Sequence, residues 1–210
     1  MDAASSETQP TVGRTTQVVV AILLGLAATG TAWASFQSSL LDGDVVAHYN
    51  RGIKQASRAE ALNGQGNLIF VRDSALWLEF VKAVETNEDR LRTHIRQSLM
   101  SDVLSKAVTW YRNTPRAADP FVARGSPYAL PDWSRAEELN ALAAQSFDRA
   151  EAADTEGDKF ELTTVVFAAA LFFLGMASVV GRRTGRIAFL IMGVVFVAAA
   201  GLMLTAVTLG

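Results

Sequence analysis

The stretch TAWASFQSSLLDGDVV, residues 31–46, ends an apolar run and admits two readings. Ala32-Trp33-Ala34 before Ser35 is the small-x-small pattern at which a secretory signal is cut. Read as helix, the same residues carry a membrane segment out of the bilayer and onward. The choice decides the fold, because it sets whether the chain crosses a membrane twice or three times. A signal has a basic start and an apolar core of about 7–15 residues. Here Arg14 is offset by Asp2 and Glu7, and the run from Val18 to Ala34 exceeds that core. No proline interrupts Val18 to Ala61, and Phe36, Leu40 and Leu41 prolong the apolar run. Trp33 and Phe36 suit a membrane interface, where aromatic rings anchor a span. The stretch therefore reads as a retained joint, with Asp42 and Asp44 in water.

Working outward, the charges are segregated. Of 210 residues half are apolar and 19% charged, yet Thr15–Leu41, Leu162–Gly181 and Ile187–Gly210 carry no charge at all. About 20 apolar residues cross the ~30 Å hydrocarbon core as a helix. The expected organisation is a cytoplasmic tail (1–16), a first span (17–37), an extracytoplasmic region (38–161), a second span (162–181), a basic turn (182–186) and a third span (187–209). Basic residues in short loops stay on the cytoplasmic side. Arg182, Arg183 and Arg186 in GRRTGR thus face inward, and Arg14 before the first run gives the same orientation. The C-terminus is then extracytoplasmic. These arginines also suit anionic lipid headgroups. Absence of cysteine removes disulfides and thiolate chemistry together and fits either side of a membrane, which is expected to be a prokaryotic plasma membrane. A net charge of -2 without a basic tract argues against nucleic acid as a partner.

The extracytoplasmic region reads as helices. Asp44–Leu62 is rich in helix formers, and Gly64-Gln65-Gly66-Asn67 is expected to punctuate the chain. Trp77, Phe80, Val84, Leu91 and Ile95 recur at helical spacing, an apolar stripe expected to form the core of a bundle. Residues 68–112 form one long helix or break near Thr86-Asn87; the sequence supports both. Residues 114–132 hold every proline except Pro10 and read as a loop. A helix resumes with Asp132 as its N-cap and runs toward the second span.

Few residues invite chemistry. Asp44 and His48 share a helical face at i, i+4, but a metal site needs three or four ligands, so no metal or cofactor is expected. Small residues spaced by four (Ala21, Gly25, Thr29; Gly193, Val197, Gly201, Thr205) suit close helix packing, chiefly among the spans. No ionisable residue lies inside the spans, and no P-loop, nucleophile elbow or H-E-x-x-H occurs, so no enzyme activity is expected.

The residues Trp33, Phe36, Gln37, Ser39, Gly43, Tyr49 and Asn50, with the helical region and two closing spans that follow, resemble small three-span prokaryotic membrane proteins of uncharacterised role. The outer region also resembles the four-helix sensor domains of chemoreceptors, although this chain has a third span and no cytoplasmic signalling helices. The fold class expected is all-α and polytopic, three spans with an extracytoplasmic bundle between the first and second. The expected role is structural: a scaffold or accessory protein assembling with itself or another membrane protein in the lipid bilayer. Phe121, Tyr128 and Trp133 would anchor the contact surface. The alternatives are a homo-oligomeric pore lined by Thr29, Thr31, Ser35 and Ser38, and an extracytoplasmic ligand sensor acting through a partner.

Overall fold

The computed structural model describes residues 14–114 and 117–209. The expected cytoplasmic tail up to Gly13 and the side chain of Arg14 lie outside the described residues. Among the described residues the chain is helical throughout, with no strand: α1 Arg14–Glu85, α2 Asp89–His94, a π-turn Ile95–Leu99, α3 Asp102–Arg112, α4 Pro131–Val179 and α5 Arg183–Leu209. Three of these, α1, α4 and α5, are long and apolar enough to cross a membrane. Residues 31–46 are helical without a break, so the opening stretch lies inside α1.

The chain divides into two compact units. A span unit takes in α1 up to His48 and the chain from Asp148 onward; the other is Tyr49–Phe147. In the span unit, Val20, Ala27 and Ala34 are buried at seven-residue intervals on α1, as are Phe160, Phe167 and Leu174 on α4. Small residues opposite large ones let the backbones approach. A Cβ on Gly30 would lie 2.5 Å from Phe167 Cζ, and one on Gly193 of α5 2.6 Å from Leu174 Cγ. Thr163 is fully buried, and its hydroxyl donates to the Lys159 carbonyl at 2.8 Å, which satisfies a polar group without a second helix.

In the Tyr49–Phe147 unit, Gly52, Ala59, Gly66, Asp73 and Phe80 repeat the seven-residue burial along α1. The expected punctuation at Gly64-Gln65-Gly66-Asn67 is overturned: α1 runs straight through it. Gly66 is buried under Trp133, whose Nε1 would sit 2.5 Å from an added Cβ. The glycine is there to admit an indole, and packing outweighs a helix-propensity deficit of about 1 kcal/mol.

The long helix ends at Glu85, so the break near Thr86-Asn87 is the alternative adopted. Asn87 takes a left-handed φ of 55°. Glu88 N–H bonds the Ala83 carbonyl at 2.9 Å and Asn87 N–H the Val84 carbonyl at 3.4 Å, a Schellman closure built on asparagine instead of glycine. Asp132 is not the N-cap of α4. Pro131 starts that helix, where a missing N–H costs nothing, and Asp132 falls in the first turn, where its charge complements the helix dipole.

Of the expected apolar stripe, Phe80 and Ile95 belong to the core with Leu104, Val108, Tyr128 and Leu130, and Trp77 packs against it. Val84 and Leu91 do not: they are 43% and 38% exposed. The break at Asn87 takes Leu91 out of the periodicity that a single rod would have kept, whereas Val84 lies before it, in the last turn of α1.

Candidate functional site

The polar centre of the Tyr49–Phe147 unit is Asp73. Its side chain is fully buried, and every contact it makes satisfies the carboxylate. Ser101 Oγ donates to Oδ2 at 2.8 Å and the Tyr128 hydroxyl to the same oxygen at 3.2 Å. Arg72, itself half exposed, reaches Oδ1 with Nη2 at 3.0 Å and Nε at 3.3 Å. Ser101 in turn caps α3 by accepting from Leu104 N–H at 3.1 Å. One carboxylate thereby fixes α1, the start of α3 and the proline-containing loop together. Burial pushes the Tyr128 phenol well above its ordinary pKa; the negative charge of Asp73 and the hydrogen bond donated to it push the same way, and Arg72 opposes them.

Aromatic rings surround this node. Phe70 meets Phe121 edge-on at 5.4 Å between centroids and lies 5.8 Å from Trp133, while Phe121 and Tyr128 are 4.9 Å apart. The loop bearing two of these rings is held by its own turns: Asp119 Oδ1 accepts from the N–H groups of Phe121 (2.7 Å) and Val122 (2.8 Å). Phe121, Tyr128 and Trp133 were expected to anchor a contact surface. Tyr128 is buried, the other two are partly buried, and all three pack into the core cluster.

Beside this core lies a cavity of about 800 Å³. Trp77 and Phe80 from α1 and Tyr111 from α3 give it an aromatic wall, with Trp77 stacked on Phe80 at 5.9 Å and edge-on to Tyr111 at 5.1 Å. Its polar side carries Arg92, Arg96 and Arg112 against one carboxylate, Glu85. Arg92 is paired with Asp89 at 2.7 Å; among the described residues neither Arg96 nor Arg112 has a carboxylate within 4.0 Å. Arg96 and Gln97 reach the cavity from the π-turn, closed by Met100 N–H on the Ile95 carbonyl at 3.0 Å. Single π-turns inside helices recur at functional sites because the extra residue re-aims side chains. Such a lining offers aromatic contact together with exposed guanidinium donors.

Of the other residues singled out by sequence, Asp44 is exposed and His48 half-buried, with Nδ1 buried and without a partner. Among the described residues no three His, Asp or Glu side chains gather as a metal site would need. Gly193 packs on Leu174, but an added Cβ on Gly25 or Gly201 would meet nothing within 4 Å, so the chain's own packing does not use them. Thr29 is exposed and donates to the Gly25 carbonyl at 2.9 Å; Thr31 donates to Ala27 at 2.8 Å. Trp33 and Phe36 are exposed, as are Arg182 and Arg183, while Arg186 is half-buried.

Sequence reasoning missed Asp73, Ser101 and the arginine triplet. Asp73 is separated from Ser101 by 28 residues and from Tyr128 by 55, so no local pattern unites them. The available signal was a lone carboxylate, Asp73, among the apolar positions of α1. Compared with known proteins, the chain matches no family model, no curated protein and no solved structure.

Proposed function

We propose that the chain is a membrane-anchored binding protein whose Tyr49–Phe147 unit faces the outside of a prokaryotic cell and holds an organic anion with an apolar or aromatic body. The carrying observation is the cavity that Trp77, Phe80 and Tyr111 line together with Arg96 and Arg112. A guanidinium without a carboxylate partner gives a bound carboxylate or phosphate a charge-assisted hydrogen bond, worth roughly 1.5–3 kcal/mol. The α1 helix, which supplies Trp77 and Phe80 to the cavity, is also one of the three helices long and apolar enough to cross a membrane. Such a protein acts as a sensor or accessory through a partner.

The test is thermal stabilisation of the full chain in lipid nanodiscs by naphthalene-2-carboxylate, with the neutral naphthalene-2-carboxamide as control. A saturable shift for the anion alone is expected, weakened about tenfold or more by Arg96→Gln or Arg112→Gln, matching the loss of one such bond. Equal response to both compounds, or no effect of either substitution, would sink this reading.

A second reading, an interaction scaffold assembling with itself or another membrane protein, draws on Leu68, Val71 and Leu78. These lie on one face of α1 and are exposed by 74%, 65% and 68%. Sedimentation of the wild type against Leu68→Glu/Leu78→Glu tests it: a monomer in both cases removes the self-assembly version.

A further inference from the structure

The span unit holds a second cavity, of about 210 Å³, where the start of α1, the end of α4 and the start of α5 meet. We infer that it binds one anionic phospholipid by its phosphate and glycerol headgroup, an inference that rests on the three apolar helices crossing a bilayer.

Three observations carry it. The first is a gradient along the helices. Thr16, Gln17, Ser178 and Arg186 line the cavity at the ends of their helices, and Val20, Ala21 and Leu24 line it one to two turns further in. A glycerophospholipid has the same order, polar head then acyl chain.

The second is uncompensated charge. Arg182, Arg183 and Arg186 cluster at this end, whereas Thr15–Leu41 and Leu162–Gly210 contain no Asp or Glu. The nearest carboxylates along α1 and α4 are Asp42 and Glu161. Asp42 lies about 39 Å along α1 from Thr16 at 1.5 Å per residue, beyond several Debye lengths at physiological salt. Within α1, α4 and α5 these arginines therefore have no nearby carboxylate to pair with.

The third is donor arithmetic. Arg186 Nε is committed to the Val180 carbonyl at 3.2 Å, which fixes the side chain in the cavity wall and pre-orders it for an anion. Ser178 already donates its hydroxyl proton to the Gly175 carbonyl at 2.6 Å, so towards a ligand it can only accept. Thr16, Gln17 and Arg186 supply donors to phosphate oxygens, and Ser178 supplies an acceptor for a headgroup hydroxyl. That combination selects a phosphodiester bearing a free hydroxyl, as phosphatidylglycerol has, over phosphatidylcholine, whose headgroup has no donor.

The test is native mass spectrometry of the delipidated full chain titrated with phosphatidylglycerol, with phosphatidylcholine of the same acyl chains, and with soluble glycerol 3-phosphate. One saturable phosphatidylglycerol adduct is expected, at least tenfold tighter than phosphatidylcholine, with no retention of the soluble headgroup. Arg186→Gln should weaken it about tenfold. Ala21→Phe, which fills the apolar floor and leaves all three arginines in place, should weaken it similarly, while Arg182→Gln/Arg183→Gln should leave the single adduct. Circular dichroism of each variant checks that the helices are intact. Retention unchanged in both Arg186→Gln and Ala21→Phe, or lost only in the Arg182/Arg183 double variant, would overturn the site in favour of diffuse attraction to basic residues. Equal retention of glycerol 3-phosphate would overturn the lipid in favour of a free phosphate compound.

Discussion

The two units solve the same packing problem with opposite chemistry. In the span unit, α4 meets α1 and α5 through size alone: Gly30 of α1 beneath Phe167, Gly193 of α5 against Leu174, and hydroxyls such as Thr163 turned back on their own helix. In the Tyr49–Phe147 unit, α1 again offers small residues to aromatic rings, but the partners are fixed by a buried carboxylate that the neighbouring Arg72 and two side chains from distant segments, Ser101 and Tyr128, satisfy. Where no water competes, shape selects the partner and a polar node would be a liability. Where the chain has loops and short helices to arrange, a directional node specifies which segment goes where.

The sharpest way to break this contrast is Asp73→Ala. It leaves the buried Tyr128 hydroxyl and the part-buried Ser101 hydroxyl without an acceptor and should cost about 3 kcal/mol, read as a lowered thermal midpoint by tryptophan fluorescence of the full chain in nanodiscs. Asp73→Asn keeps an acceptor and should cost about half as much. If Asp73→Ala melts like the wild type, the node is not what holds the unit.

A smaller effect separates glycines that host a ring from glycines that do not. Gly66→Ala and Gly30→Ala force a Cβ against Trp133 and Phe167 and should each destabilise by about 1–3 kcal/mol. Gly64→Ala and Gly25→Ala meet nothing within 4 Å and should be neutral or stabilising by up to about 1 kcal/mol. Reversal of that order in either unit would show that shape is not the selecting principle there.

The smallest effect is pH-dependent and confined to one unit. Below about pH 10 the Tyr128 phenol is protonated in both folded and unfolded chains. Above that, the unfolded chain releases the proton while burial and Asp73 hold it in the folded state, so stability falls as pH rises past about 10. Tyr128→Phe should start from a lower midpoint but decline less steeply between pH 9.5 and 11, a range in which roughly one proton is at issue. Parallel slopes would remove Tyr128 from the account.

How much of this was legible follows from the same contrast. The spans were readable because exclusion of charge from lipid leaves a mark at every position, and the continuity of α1 through residues 31–46 was readable because nothing there breaks a helix. The ring-hosting role of Gly66 was not, since a glycine beside Gly64 and Asn67 carries the local signal of a turn and only Trp133 reverses it. The helix end at Asn87 was half legible: the pattern allowed a break, but asparagine in the left-handed region leaves a weaker mark than glycine. Phe121, Tyr128 and Trp133 were recognisable as important, but not their packing into the core cluster. Whether an aromatic in a proline-rich loop turns outward or inward depends on Phe70, far away in the chain. The arginines of the cavity came together only through the turn at Asn87 and the π-turn that follows it.

The glycine-and-ring pairing also has a consequence for biosynthesis. Gly52 and Gly66 lie in α1, while the rings that cover them, Phe147 and Trp133, belong to α4. A ribosome adding about 5–20 residues per second leaves the middle of α1 uncovered for several seconds after it is made. During that interval its glycines lower helix propensity with no packing to offset them. The first helix in the sequence is thus among the last to become continuous, and a chain truncated before residue 133 should carry a first segment helical through its span and frayed beyond it.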